Sequence, residues 1–105
     1  PGVPQTYFDW PHLPNLNYNL PAVSEKISRA FLYWIGKLGI SGYRVDVAWG
    51  VRERAPRFWS RLNADLRRTR EDLLMLAEAG ARDSYYFKNG FDFAYDWTEH
   101  LGVWS

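Results

Sequence analysis

The chain has 105 residues, of which 47% are hydrophobic and 24% charged, a composition typical of a globular core and unlike a disordered tail. Thirteen basic and twelve acidic residues give a net charge of +1, so charge alone predicts neither nucleic acid nor an anionic membrane as a partner. The absence of cysteine excludes disulfides, thiolate metal sites and a cysteine nucleophile, and it leaves the cellular compartment open.

The first 21 residues are rich in proline and asparagine and have no regular hydrophobic period, which predicts an ordered loop. From Ala22 to Leu38 apolar residues recur at helical spacing, so a helix is expected there. Asn19 or Ser24 is expected to cap its start, and Gly39 stands where a left-handed glycine ends a helix. No apolar run reaches the ~20 residues that span a bilayer, so no membrane partner is expected.

A strand and a second helix are predicted next. The β-branched run Gly42–Ala48 alternates in polarity and predicts a strand with Arg44 and Asp46 on the same face. Residues Pro56–Arg68 are predicted to form a helix with proline near its first turn. The apolar stripe of this helix consists of Phe58, Trp59, Leu62 and Leu66.

Two further strands complete the predicted order of elements. Leu73–Ala77 is apolar without alternation, as in a parallel strand that is buried on both faces and ends at Glu78. After an irregular connection over residues 79–90, Phe91–Trp97 alternates again and predicts a third strand. Strands separated by helices predict right-handed crossovers and a parallel sheet, so the expected fold class is α/β.

Two carboxylates stand where neighbouring predicted strands end. Asp46 lies near the end of one strand and Glu78 ends the next, and catalytic groups of βα architectures lie at such ends. Parallel strands about 4.8 Å apart allow a carboxyl separation of about 5–5.5 Å, which suits retaining glycoside hydrolysis. Arg44 could hold Asp46 ionised and oriented. The alternative is that Arg44 and Asp46 form a structural ion pair and Glu78 caps a loop or helix.

Aromatic residues make up 18% of the chain, more than packing alone requires. Several of them fall at or just after predicted strand ends, where their ring faces could stack on sugars: Trp49, Tyr85, Tyr86 and Trp97. Packing in the core is the alternative role for each of these rings.

Three motifs in a fixed order, together with one further strand segment, resemble the α-amylase family of glycoside hydrolases (family 13). Gly42–Ala48 looks like that family's fourth barrel strand, with its pattern Gly-aromatic-Arg-x-Asp, and Leu74–Ala79 looks like the fifth. Leu13–Tyr18 is similar to the short motif between the third strand and the third helix, and Phe91–Trp97 resembles the sixth strand. The resemblance implies a partial (β/α)8 TIM barrel covering about strands four to six.

The same resemblance implies a domain organisation and a chemistry. Residues 1–21 would be the loop before the third barrel helix, and residues 22–105 the central part of a catalytic domain. Asp46 would be the nucleophile and Glu78 the general acid/base of a double displacement, with Arg44 as the partner of the nucleophile. The implied substrate is an α-glucan or a maltooligosaccharide. A transglycosylase or another glucan-modifying member of the family is an alternative.

Other positions are implied to bind substrate or metal. Trp49 and Gly50 stand where classical members carry a Lys-His pair that contacts the sugar on the leaving-group side, and Tyr86 is a further expected substrate contact. Asn15 stands where many relatives carry an aspartate ligand of a structural calcium, so calcium binding in the whole enzyme is an open alternative. Catalysis itself is expected to need no cofactor.

The family's third-strand and seventh-strand motifs have no counterpart in this chain. His12 and His100 match neither motif and are interpreted as ordinary polar residues. The chain is therefore expected to be a piece of an enzyme that needs the remainder of its own barrel and is inactive in isolation. A non-catalytic carbohydrate-binding or interaction fragment is the alternative from another functional class.

Seven of the 13 basic residues lie between Val51 and Arg70, a density that could indicate a basic helix binding nucleic acid. The preferred interpretation is the solvated outer face of a barrel helix, because the overall charge is only +1. No nucleic-acid partner is therefore expected.

Overall fold

The computed structural model describes residues 5–97. Its elements are α1 (Pro21–Leu38), β1 (Gly42–Val45), α2 (Ala48–Arg54), α3 (Phe58–Thr69), β2 (Leu74–Gly80), α4 (Tyr85–Lys88) and β3 (Phe93–Tyr95). The three strands form one parallel sheet in the order β1-β2-β3. The predicted α/β class and parallel sheet are confirmed. Within residues 5–97, no helix combines the length and the apolar character needed to cross a membrane.

Helix α1 begins at a proline and ends at a glycine in the left-handed conformation. Its first residue is Pro21, whose missing N–H is one of the groups that stay unpaired at any helix start. The predicted side-chain caps are wrong: the hydroxyl of Ser24 donates to the carbonyl of Pro21 at 3.0 Å, and Asn19 donates to the carbonyl of Arg54 at 2.9 Å. The predicted C-terminal glycine is confirmed, since Gly39 has a φ of 62°.

Strand β1 ends at Val45, three residues earlier than predicted. Val47 adopts a left-handed conformation with a φ of 49°, which turns the chain out of the sheet, and α2 starts at Ala48. Asp46 therefore lies in the turn after the strand. Helix α3 confirms the second predicted helix, and all four residues of its predicted stripe are buried.

Strand β2 has one covered and one open face, so the predicted burial of both faces is wrong for the described part of the chain. Met75, Ala77 and Ala79 are buried beneath the helices. The alternate residues face the other way: Leu74 is 53% exposed, and Leu76 and Glu78 are half-buried. The strand also continues to Gly80, two residues beyond the predicted end at Glu78.

Strand β3 is shorter than predicted and joins β2 irregularly. The pairing shifts register between Ala77 and Gly80 of β2. At the start of β3 the carboxylate of Asp92 accepts the backbone N–H of Met75 at 2.8 Å and pairs with Arg67 at 2.8 Å. A side chain thus replaces a ladder hydrogen bond and anchors β3 to both β2 and α3.

The core lies between the sheet and the helices and is tied together by polar contacts at its margins. The indole N–H of Trp59 donates to the carbonyl of Ala48 at 2.9 Å, which joins α3 to α2. At the other end, Arg70 donates to the carbonyls of Gly39 and Ile40 at 2.7 and 2.8 Å. Arg70 also lowers the pKa of Asp72 through their hydrogen bond.

Candidate functional site

The structure brings Arg44, Asp46 and Glu78 together at the carboxyl end of the sheet. Val45 pairs with Ala77, so the residues that follow, Asp46 and Glu78, stand at the same level on neighbouring chains. The guanidinium of Arg44 contacts both carboxylates, Asp46 through Nη1 and Glu78 Oε1 through Nη2 at 3.2 Å. One cation therefore bridges two acids. The i, i+2 spacing predicts the contact of Arg44 with Asp46, whereas the contact with Glu78 is a finding of the structure.

The second oxygen of Glu78 is held by the backbone. Oε2 accepts the N–H of Val47 at 2.7 Å, and the left-handed conformation of Val47 sets the direction of that N–H. A β-branched residue with positive φ is strained by about 1–3 kcal/mol, and such strain clusters at functional sites. Sequence reasoning missed this contact because a backbone donor has no signature in residue identity.

The two carboxylates differ in their access to solvent. The side chain of Asp46 is 73% exposed and that of Glu78 is 26% exposed.

The Arg44 guanidinium lies 5.9 Å from the centre of the Tyr95 ring. Hydrogen bonds, first with Tyr95 and then with Asp46, raise the pKa of Arg44, so its positive charge persists between the carboxylates. Tyr95 was not predicted as a site residue, because only the sheet order shows that β3 reaches toward Arg44.

Among the predicted substrate contacts, Trp49 and Gly50 lie in the first turn of α2. Trp49 is half-buried, and its ring centroid is 6.0 Å from that of Phe8. Gly50 is buried and has no side chain to offer a ligand. Trp97 is 49% exposed and stacks on Tyr95 with a centroid distance of 5.6 Å.

Tyr86 lies in the hydrophobic core, and its predicted substrate contact is corrected. It is 1% exposed and its ring packs edge-on against Tyr85 and Phe91. Burial raises the pKa of its hydroxyl. A side chain with no accessible face cannot stack on a sugar, and its neighbour Tyr85 is the half-buried member of the pair.

Four of the seven arginines in the basic segment form ion pairs with acidic residues. Arg52 pairs with Asp83 and lies over the Tyr85 ring at 4.4 Å. Three further arginines have acidic partners, in the pairs Arg67–Asp92, Arg68–Asp65 and Arg70–Asp72. Nucleic-acid binding by this segment stays an untested alternative.

Asn15, the residue associated with calcium, lies in the loop before α1. Its backbone N–H donates to the carbonyl of Gln5 at 2.8 Å. Within residues 5–97 no group of three or more histidine, cysteine, aspartate or glutamate side chains is arranged to hold a metal ion. Calcium also binds backbone and amide carbonyl oxygens, so calcium binding near Asn15 in the whole enzyme stays a prediction. His12 stacks on Trp10 at 6.3 Å, and His100 lies outside the described residues.

Comparisons with known proteins connect this geometry to a family. A sequence model described as the alpha-amylase catalytic domain matches residues 5–90. The cyclomaltodextrinase of a Bacillus species is 32% identical over 89 residues, which cover 83% of this chain and 15% of that protein. An alpha-1,4-glucan:maltose-1-phosphate maltosyltransferase of Picrophilus torridus is 32% identical over 95 residues, covering 88% of this chain and 14% of that protein.

Solved structures agree with the sequence comparisons. A cyclomaltodextrinase structure has a TM-score of 0.76 at 31% identity and covers 86% of this chain and 15% of its own. The alpha-amylase of Geobacillus thermoleovorans, complexed with acarbose, has a TM-score of 0.69 at 26% identity, with 89% and 24% covered. The chain thus spans about 15% of the length of the curated relatives it matches, and its three strands correspond to part of their TIM barrels. This chain belongs to the alpha-amylase family and matches part of its catalytic domain.

Proposed function

We propose that the chain is the central part of the catalytic barrel of a retaining glycoside hydrolase acting on α-glucans; the whole protein is here called the parent enzyme. The observation that carries this proposal is the single guanidinium of Arg44 between the carboxylates of Asp46 and Glu78. Support for the substrate class comes from the relatives: one is named cyclomaltodextrinase, and another is an alpha-amylase complexed with acarbose.

In the proposed mechanism the exposed carboxylate attacks and the sheltered one transfers protons. Asp46 attacks the anomeric carbon while Glu78 protonates the leaving oxygen, which forms a covalent glycosyl-enzyme. Glu78 then removes a proton from a water molecule that hydrolyses this intermediate. Arg44 orients the carboxylate of Asp46 through their ion pair. The two displacement steps use these two carboxylates as nucleophile and acid/base and need no cofactor.

Glu78 is hydrogen-bonded or ion-paired at both of its oxygens. Oε1 contacts Arg44, and Oε2 accepts the backbone N–H of Val47. The same contacts fix the carboxyl group in place, and fixed geometry is a large part of catalytic efficiency.

Transglycosylation is a second candidate reaction for the same residues. The 32% identity to a protein named as a maltosyltransferase favours it. In a transfer reaction a sugar hydroxyl replaces water in the second step, while Asp46 and Glu78 keep their roles. The ratio of transfer products to hydrolysis products of the parent enzyme distinguishes the two reactions.

The test is a pair of isosteric substitutions in the parent enzyme. Asp46→Asn is expected to lower turnover of maltooligosaccharides by several orders of magnitude, because the amide cannot form the covalent intermediate. Glu78→Gln is expected to be as severe on these substrates and milder on aryl α-glucosides with good leaving groups, which need little protonation. For the unmodified parent enzyme, NMR of the products should show that the anomeric configuration of the substrate is retained.

The matched control is Asp65→Asn, because Asp65 forms an exposed pair with Arg68 on α3. This variant should keep the activity of the unmodified parent enzyme. Near-normal turnover of Asp46→Asn would refute the assignment of Asp46 as the nucleophile.

A further inference from the structure

Two connecting segments at the carboxyl end of the sheet also contact each other beyond the carboxylates. The β1 connection, residues 46–57, starts with the proposed nucleophile and contains α2. The β2 connection, residues 81–92, follows the strand that carries the proposed acid/base and contains α4. Arg52 of α2 forms an ion pair with Asp83 of the β2 connection. A charged pair therefore links the two segments that flank the site.

This ion pair is part of a network of contacts. The Arg52 guanidinium lies 4.4 Å from the centre of the Tyr85 ring and 5.6 Å from that of Tyr86. The other carboxylate oxygen of Asp83 accepts the backbone N–H of Tyr85 at 2.9 Å, and the Tyr85 hydroxyl donates to the carbonyl of Pro56 at 2.5 Å. An isolated pair with side chains 36% and 38% exposed would contribute little, whereas several joined contacts favour one geometry.

Helix α2 depends on contacts of this kind to stay in place. It has seven residues, and helices this short are marginal in water without tertiary packing. Its first turn is held from α3, because the indole N–H of Trp59 donates to the carbonyl of Ala48 at 2.9 Å. Its last turn carries Arg52. Each end of α2 thus has a polar anchor, and Arg52 is the anchor on the side of the β2 connection.

The residue just before α2 donates the backbone bond to the proposed acid/base. The N–H of Val47 lies 2.7 Å from Oε2 of Glu78. The φ of Val47 is 49°, and a strained conformation of this kind persists only where the surrounding structure holds it. Because α2 follows Val47 directly in the chain, a contact that fixes the helix also limits the directions open to this N–H.

We propose that Arg52 is a positioning residue of the parent enzyme: paired with Asp83, it clamps α2 to the β2 connection and so keeps the Val47 N–H on Glu78. This inference rests on the proposed function, because it gives Arg52 a part in placing the proposed acid/base. Arg52 acts through the backbone of α2, so its loss should affect proton transfer by Glu78 more than the binding of substrate.

The experiment compares two classes of substrate in the Arg52→Met parent enzyme. Methionine keeps an unbranched apolar side chain and removes the cation that pairs with Asp83. The kcat/KM for maltooligosaccharides, whose sugar leaving group needs protonation, should fall about tenfold. The kcat/KM for aryl α-glucosides with good leaving groups should fall at most about twofold. The ratio of the two values does not depend on the fraction of enzyme that is folded, so a loss of stability alone leaves it unchanged.

Further variants separate the pair from its surroundings. Asp83→Asn should cause the same selective loss, and combining it with Arg52→Met should add little, because both changes remove one interaction. Arg52→Lys should keep most of the normal ratio, since Arg52 contacts Asp83 through one nitrogen and an ammonium can do the same. Arg68→Met is the matched control: Arg68 forms an exposed pair with Asp65 on α3, and its loss should leave both kcat/KM values unchanged.

An unchanged ratio of the two kcat/KM values in Arg52→Met would overturn the proposal, as would a loss in the double variant equal to the product of the two single losses. The proposed function is tested separately by Glu78→Gln. If Glu78→Gln shows the selective loss and Arg52→Met does not, the positioning role alone fails. If Glu78→Gln lowers kcat/KM equally for both substrate classes, the assignment of the acid/base itself fails.

Discussion

At the scale of single residues, the site depends on the shape of one guanidinium. Arg44 uses different terminal nitrogens for Asp46 and Glu78. A planar group with donors in fixed directions can serve two acids at once, whereas an ammonium is a compact charge without that geometry. Activity is therefore expected to depend on the shape of the Arg44 side chain as well as on its positive charge.

Arg44→Lys in the parent enzyme should lower kcat/KM by at least about a hundredfold while the melting temperature changes by only a few degrees. The stability effect is small because the Arg44 side chain is 43% exposed and its ion pairs are screened by solvent. Steady-state kinetics and thermal unfolding measure the two effects. Arg29→Lys, which retains an exposed pair with Glu25, serves as the control. Full activity of Arg44→Lys would assign Arg44 a purely structural role.

Parts of this site follow from the sequence and parts do not. The proximity of Arg44, Asp46 and Glu78 follows from spacing and from the parallel order of two strands. The contact of Val47 with Glu78 does not, because its donor is a backbone amide whose direction depends on one dihedral angle. The burial of Tyr86 also could not be predicted, since adjacent tyrosines on a single helical turn are equivalent until the sheet shows which one faces the core.

At the scale of elements, length decides what can be predicted. Helices α1 and α3 have 18 and 12 residues, enough for an apolar period to show. Helices α2 and α4 have seven and four residues, which is too short for a periodic signal, and neither was predicted. Strand β1 was predicted too long because its alternation continues into Val47, where a left-handed dihedral ends the ladder.

The connection between α4 and β3 depends on a glycine with a φ of 92°. A Cβ at Gly90 would lie 2.7 Å from the Cβ of buried Asn63, so Gly90→Ala should lower the free energy of unfolding by at least about 2 kcal/mol. A Cβ added at Gly36 on α1 would meet no atom within 4 Å. Gly36→Ala should therefore raise the free energy of unfolding by about 0.5–1 kcal/mol. Urea unfolding of both variants in the parent enzyme measures these changes. Equal stabilities would contradict the close approach at Gly90.

At the scale of the whole molecule, the sheet is open on several sides within residues 5–97. Its two outer strands, β1 and β3, each have a free edge. On the face opposite the helices, Leu74 is 53% exposed and Phe93 is 54% exposed. Free edges and an apolar face are the features through which chains associate.

The 105-residue polypeptide alone is therefore expected to self-associate at micromolar concentration and to release no sugar from starch at a useful rate. Correct positioning of substrate contributes about 7–11 kcal/mol to catalysis, and two carboxylates with one arginine supply only part of it. Light scattering and a reducing-sugar assay test the two expectations. Leu74→Glu with Phe93→Lys should reduce association. A stable monomer with enzyme-like turnover would show that these residues contain a complete site.

The left-handed Val47 has a consequence for protein engineering. Glycine and asparagine adopt positive φ more easily than valine, so selection for thermal stability alone would favour them at this position. Either substitution would relax the strain in the turn. It would also let the backbone N–H of residue 47, which donates to Glu78, adopt a wider range of orientations. Thermostability and the fixed orientation of Glu78, the proposed acid/base, are therefore in conflict at this one position, and a screen that scores only melting temperature would select against that orientation.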